Sequence, residues 1–209
     1  MTGADHVQDA APADCGHRCG AHGGRTRRAV LGGLAAGAAA LAGCGGGGGT
    51  AEPPDPIALE GQLQCEVCGM VIGSNFGPNG QIFYREESPA GHDNPAYFDA
   101  LPACLFPYHF QKQTRGWEAT AVYVTDYSAT DYEITTMEGR TYISSHVAAE
   151  TFAAGSETTL VVGSDLQGAM GADFFPFSER ADAEALRAEY GGKLRAFEEV
   201  DTQTLAQYG

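Results

Sequence analysis

Beyond Gly61 the apolar positions fall into short runs that alternate between strand and helix spacing. Near the C-terminus, Ala172-Asp173-Phe174-Phe175-Pro176-Phe177 predicts a short strand. Ala181 to Tyr190 follows with Ala181, Ala185 and Leu186 at helical spacing, and Gly191-Gly192 closes it as glycine closes many helices. Lys193 to Val200 then alternates as a strand does. The same order occurs earlier. Gln81 to Arg85 predicts a strand behind a Gly77-Pro78-Asn79-Gly80 turn. Ala96 to Phe110 predicts a helix interrupted by Pro102 and Pro107, and Glu118 to Tyr127 predicts a strand with β-favouring residues. A further strand precedes each passage, at Val71-Ile72 and Tyr142-Ile143. The expectation is an α+β fold of two small related ββαβ-type units in tandem, residues 61–128 and 129–209.

The first 60 residues carry a different pattern. Arg27-Arg28 stand before an apolar run from Ala29 to Ala42, shorter than the roughly 20 residues a membrane-spanning helix needs. The run suits the apolar stretch of an export signal, and the paired arginines point to the twin-arginine route. It ends on Leu41-Ala42-Gly43-Cys44, which resembles the lipobox of exported lipoproteins. Residues 1–43 are therefore expected to be a signal peptide, with Cys44 lipidated and holding the chain to the outer face of the membrane. Gly45 to Gly49 and the Pro53-Pro54-Asp55-Pro56 segment have little to bury, so residues 44–60 read as a tether. Cys15-x-His17-x-Cys19-x-x-His22 has the look of a zinc cluster, but it precedes the arginines and would leave with the signal.

Charge narrows the function further. The chain has 12 basic and 27 acidic residues. Four arginines and three aspartates of these lie before Cys44, which leaves 8 and 24, a net of −16. Nucleic acid is bound by neutralising phosphates with Lys and Arg, so this balance excludes it as a partner. It also opposes docking on anionic lipid. The acidic residues are spread along the chain, as in proteins kept hydrated in concentrated salt, and a halophilic source is expected.

The chemistry is concentrated in Gln64-Cys65-Glu66-Val67-Cys68-Gly69-Met70. Two thiols three positions apart can grip one ion from the same side of a turn, and a thioether two residues on adds a third soft donor. Such donors select Cu(I), while magnesium and calcium prefer oxygen. Three other readings compete. A thioredoxin-like redox pair places its second cysteine in a helix that follows a strand, and the Gly69, Val71, Ile72 and Gly73 that follow here are poor helix material. A structural zinc site needs four ligands, which Cys104 and His109 could complete. A Cys65–Cys68 disulfide would close a tight loop. Beyond these, no Ser-His-Asp arrangement and no phosphate loop is present, so no enzyme is expected.

The chain resembles the NosL-type lipoproteins, accessory proteins of nitrous-oxide reductase. The resemblance lies in the lipobox Cys44, the Cys65-x-x-Cys68-Gly69-Met70 segment, Gly168-Ala169-Met170-Gly171 with Pro176-Phe177, and the closing helix with Gly191-Gly192 and Phe197. It implies a pair of ββαβ-type units and a Cu(I) chaperone that supplies copper to nitrous-oxide reductase or its assembly machinery. Members share the Cys68-Gly69-Met70 type of segment, some with one cysteine only. Met170 falls in the family's methionine-glycine segment and is a candidate extra thioether beside a role in packing. His92, His109 and His146 are candidates for an additional ligand. Oligomeric state is left open.

Overall fold

The computed structural model describes residues 52–208. The paired arginines, the lipobox Cys44, the glycine run and the Cys15/His17/Cys19/His22 cluster lie outside the described residues. Strand β1 (Gly80–Tyr84) is buried along its whole length. It is central to its sheet, pairing antiparallel with β2 (Ala96–Phe98) on one side and, after helix α1 (Phe106–Thr114), with β3 (Ala119–Thr125) on the other.

The helix expected from Ala96 therefore begins later. Ala96 and Phe98 are both fully buried and sit at strand spacing opposite Ile82 and Gly80, so sheet pairing overrides the helical reading. Between β2 and α1 the chain makes one π-helical turn, Leu101–Leu105. The amides of Leu105 and Phe106 reach back five residues, to the carbonyls of Ala100 and Leu101. Pro107 contributes to this widening, because it has no N–H to donate to Ala103. Pro102 sits in the first turn, where a missing N–H leaves nothing unpaired.

Strands β4 (Ile134–Met137) and β5 (Arg140–Ile143) form a hairpin, and β6 (Phe152–Ala154) adds to the outer edge of β3. Next come β7 (Thr159–Val162), β8 (Leu166–Gly168), β9 (Gly171–Ala172) and β10 (Phe175–Phe177). Helix α2 (Arg180–Tyr190), β11 (Lys193–Ala196) and α3 (Thr202–Tyr208) complete the described chain. The sheets run β2-β1-β3-β6, β10-β7-β11 and β4-β5-β8-β9. In the first two, the leading strand is central and the helix joins the second strand to the third. The fold is α+β.

Three predicted strands are shorter than expected. Val71-Ile72 contributes a single bridge, Val71 opposite Gln64. The Ala172–Phe177 run is broken at Asp173, whose buried carboxylate accepts the amides of Leu101 and Phe174. The Lys193–Val200 run leaves the sheet at Ala196 and turns as 3-10 helix through Phe197–Glu199.

The main core gathers Ile82, Phe98, Leu101 and Phe106 with Leu160, Phe174 and Phe197, so both α+β passages contribute to it. The Phe106 and Phe197 rings lie 4.9 Å apart, within the range of favourable aromatic contact. A second cluster packs Ala183 and Leu186 of α2 against Val161, Phe175 and Phe177.

The tether is shorter than composition implies. Gln81, fully buried in β1, binds both backbone groups of Ile57, and the Tyr123 hydroxyl donates to the Pro54 carbonyl. Leu59 is fully buried, with its amide 2.8 Å from the Val147 carbonyl. The chain is thus docked to the domain before Gly61, through side chains far along the sequence. Among the described residues no helix is long and apolar enough to cross a membrane.

Candidate metal centre

Residues Leu63 to Ile72 double back in a tight turn. The Cys65 amide donates to the Met70 carbonyl (2.9 Å), the Gly69 amide to the Cys65 carbonyl (3.0 Å), and the Ile72 amide to the Leu63 carbonyl (2.9 Å). Gly69 makes the reversal with φ +74°, a conformation that a side chain disfavours. The Glu66 amide donates to the Tyr97 carbonyl, which fastens the turn to β2. Asp99 directly follows β2, and Cys104 projects from the π-helical turn. The ligand atoms of Cys65, Cys68, Cys104 and Asp99 all lie within 4.8 Å of one another.

The Cys104 thiol and the amides of Cys68, Val67 and Asp99 favour the Cys65 thiolate, as the Met70 amide favours that of Cys68. The hydrogen bond from Cys104 is the leading cause that lowers Cys65 to about 7, against burial and with help from the amides. Burial is the leading cause that pushes Cys68 up to about 11, and its hydrogen bond to Asp99 Oδ1 (3.2 Å) adds to this. Cys104 is driven up because it donates to Cys65 and is buried. Near neutral pH one of the three sulfurs is therefore close to ionisation and the other two are protonated thiols.

The pocket fits a cation. Asp99 is 2% exposed and its Oδ2 has no hydrogen-bond partner, although buried carboxylate oxygens are almost always paired. An ion among the sulfurs would satisfy it, and the three cysteines are free thiols available to ligate. The second cysteine sits in a turn rather than a helix, unlike the arrangement of a thioredoxin-like pair.

Sequence reasoning places Cys65, Cys68, Met70 and Met170 at the site. The structure brings Cys65 and Cys68 together and seats Met70 in the same turn, half-buried, through its backbone. Met170 lies on the turn between β8 and β9 and is 47% exposed. That hairpin packs on the loop before β1: a Cβ on Gly77, itself at φ +95°, would lie 2.5 Å from Gly168 Cα. The glycine of the Gly168–Gly171 segment thus has a packing role.

Of the histidines, His109 is buried and bonded to Gln113, and His146 is bonded to Ser144. Neither belongs to the four-residue group. His92 pairs with Glu66 beside Cys65. Asp99 stands where the zinc reading would put His109. Nothing in the sequence pattern singles Asp99 out. Cys104 had a signal, as the one thiol beyond the Cys65–Cys68 motif in the residues after Cys44.

Three thiols and a carboxylate converge on a small α+β scaffold, a cluster of the kind that can hold a metal ion through thiolates. The chain belongs to the NosL family, whose model matches residues 56–205. It is 32% identical over 191 residues to the copper-binding lipoprotein NosL of Stutzerimonas stutzeri, covering 91% of this chain and 85% of that protein. The fold is similar to the crystal structure of the copper chaperone NosL from Shewanella denitrificans, with a TM-score of 0.58 and 27% identity. That similarity covers 72% of this chain and 99% of the solved one.

Proposed function

We propose that the chain is an extracytoplasmic Cu(I) chaperone, anchored to the membrane by a lipid on Cys44, that delivers copper for maturation of nitrous-oxide reductase. It binds and hands over an ion rather than catalysing a reaction. The observation that carries the reading is the convergence of three sulfurs and an unpaired carboxylate oxygen within one pocket. Thiolate and thioether donors select Cu(I) over harder ions. A carrier must also release its ion. Cys65 and Cys104 are buried, but Cys68 and Met70 are half-exposed, so an incoming ligand can reach the ion from their side. The names of the relatives in Stutzerimonas stutzeri and Shewanella denitrificans, copper-binding and copper chaperone, agree with this chemistry. Residues 61–128 and 129–209 read as two ββαβ units, and the shared order of β2-β1-β3 and β10-β7-β11 supports that reading, with β6 of the second stretch added to the edge of the first sheet.

The test is Cu(I) competition against a chelator, comparing the parent with Cys68→Ser and Met70→Ala while circular dichroism follows the fold. The carrier reading expects one tightly held Cu(I), weakened in both variants, on a fold that persists without metal. One observation favours a second reading: three sulfurs and a carboxylate also meet the four-coordinate demand of structural zinc. That reading expects unfolding when zinc is chelated.

A further inference from the structure

Cys65 has two different surroundings. One side faces the other thiols. The other forms part of a cavity of about 380 Å³ that is also lined by Gln62, Gln64, Glu66, His92 and Tyr97. His92 Nε2 lies 2.6 Å from Glu66 Oε1, and the His92 ring stacks on Tyr97 with centroids 4.7 Å apart at 9°. The imidazole is a third exposed and the Glu66 side chain largely buried, so the pair forms an ordered wall. Imidazole nitrogen and carboxylate oxygen suit Cu(II), whereas thiolates suit Cu(I). A mouth fit for the oxidised ion is thus lined by Cys65, a residue of the site fit for the reduced ion.

The Cys104 sulfur lies within 4.8 Å of that of Cys65. Cys68 also approaches Cys65, but its thiol is donated to Asp99 Oδ1. Cys65 and Cys104 also belong to the sulfur set of the reduced pocket, so their oxidation would leave Cys68 and Met70 as the sulfur donors still free to hold an ion. The geometry points to a further activity, resting on the copper reading above: the chain reduces Cu(II) bound at His92 and Glu66, with the Cys65–Cys104 dithiol as the electron source.

The step balances with Cu(II) itself as oxidant. Two Cu(II) ions each take one electron and become Cu(I). The Cys65 and Cys104 thiols lose two electrons and two protons, and one S–S bond forms between them. Water at the cavity mouth takes the protons. One Cu(I) passes to Cys68 and Met70, which the disulfide leaves free, and the other leaves. The reduction is stoichiometric. Regeneration needs two electrons from an external dithiol by thiol–disulfide exchange.

The test uses the full chain with Cys15→Ser, Cys19→Ser and Cys44→Ser, so that Cys65, Cys68 and Cys104 are its only thiols. The reduced protein, freed of reductant under anaerobic conditions, receives Cu(II) sulfate and a chromogenic Cu(I) chelator. Two Cu(I) per chain are expected, with a Cys65–Cys104 cross-link mapped by peptide mass spectrometry. Cys104→Ser loses this yield, and it binds Cu(I) supplied directly more weakly than the parent, through Cys65 and Cys68, because Cys104 is also one of the pocket's sulfurs. His92→Ala slows the initial rate by about tenfold or more without changing the final yield. Unreduced Cu(II), a Cys65–Cys68 cross-link, or a rate indifferent to His92→Ala would overturn the proposal. If Cys104→Ser fails to fold, the cross-link mapped in the parent still decides. Directly supplied Cu(I) separates the two readings: failure to bind it overturns the carrier, and failure to generate it overturns only the reductase.

Discussion

Loading of the pocket should be coupled to proton release, and the coupling reports how many sulfurs take part. At pH 8 Cys65, lowered to about 7, is largely thiolate, while Cys68, raised to about 11, is a thiol. Cys104, pushed above its ordinary value by its hydrogen bond to Cys65 and by burial, is also a thiol. An ion bound by all three sulfurs must therefore displace two protons, since thiolates are the ligands. Each displaced proton tightens the apparent Kd about tenfold per pH unit, so Kd should fall about hundredfold between pH 8 and pH 9. Binding by Cys65 and Cys68 alone would give about tenfold, because only one proton leaves. Competition with a Cu(I) chelator whose own affinity is constant over this interval reads the slope directly. A tenfold change would place one of the two protonated thiols, Cys68 or Cys104, outside the coordination sphere, and a flat profile would leave Cys65 as the sole thiolate ligand and refute the three-sulfur site.

Other consequences concern the scaffold. Leu59→Ala should lower stability by about 2–5 kcal/mol in urea unfolding, since it removes a fully buried side chain from the main core; a loss under about 0.5 kcal/mol, the ordinary range at exposed sites, would show that the segment is not docked. Gly69→Ala, at φ +74° with open space around it, should cost about 1–2 kcal/mol through backbone strain alone and loosen the site's turn. Burial raises Asp173 well above 3.8, so its contribution is full below that unfolded-state value and is lost as pH rises through the folded one. Asp173→Asn, which keeps an acceptor for the Leu101 and Phe174 amides, should therefore gain stability relative to the parent as pH rises from about 3 to 7. Thermal denaturation across that range checks it, and a gain that shrinks with pH would contradict the argument.

Where local spacing decides structure, the sequence was legible. Helix α2 begins at Arg180, one residue before its predicted start, and ends at Tyr190 before the glycine pair. β1 and β3 fall within their predicted runs, apart from one residue at the start of β1. The misreadings share a cause, which is that a distant partner overrode local pattern. Ala96–Phe98 continues the helical spacing of the residues up to Phe110 but is held flat by β1. Leu59 follows a Pro-rich stretch typical of a spacer, yet Val147 and buried Gln81 hold that stretch to the domain. The site divides along the same line. Cys65, Cys68 and Met70 are close in sequence, so one turn declares them. Cys104 arrives through the π-helical turn and Asp99 through the end of β2, and no local spacing reveals that either meets the motif.

The most direct test of the pocket is copper K-edge X-ray absorption on the Cu(I)-loaded protein and on its Cys104→Ala variant. The account predicts a first shell dominated by sulfur in the parent, with one sulfur fewer in the variant. A shell of nitrogen and oxygen, or a sulfur shell that Cys104→Ala leaves unchanged, would contradict it.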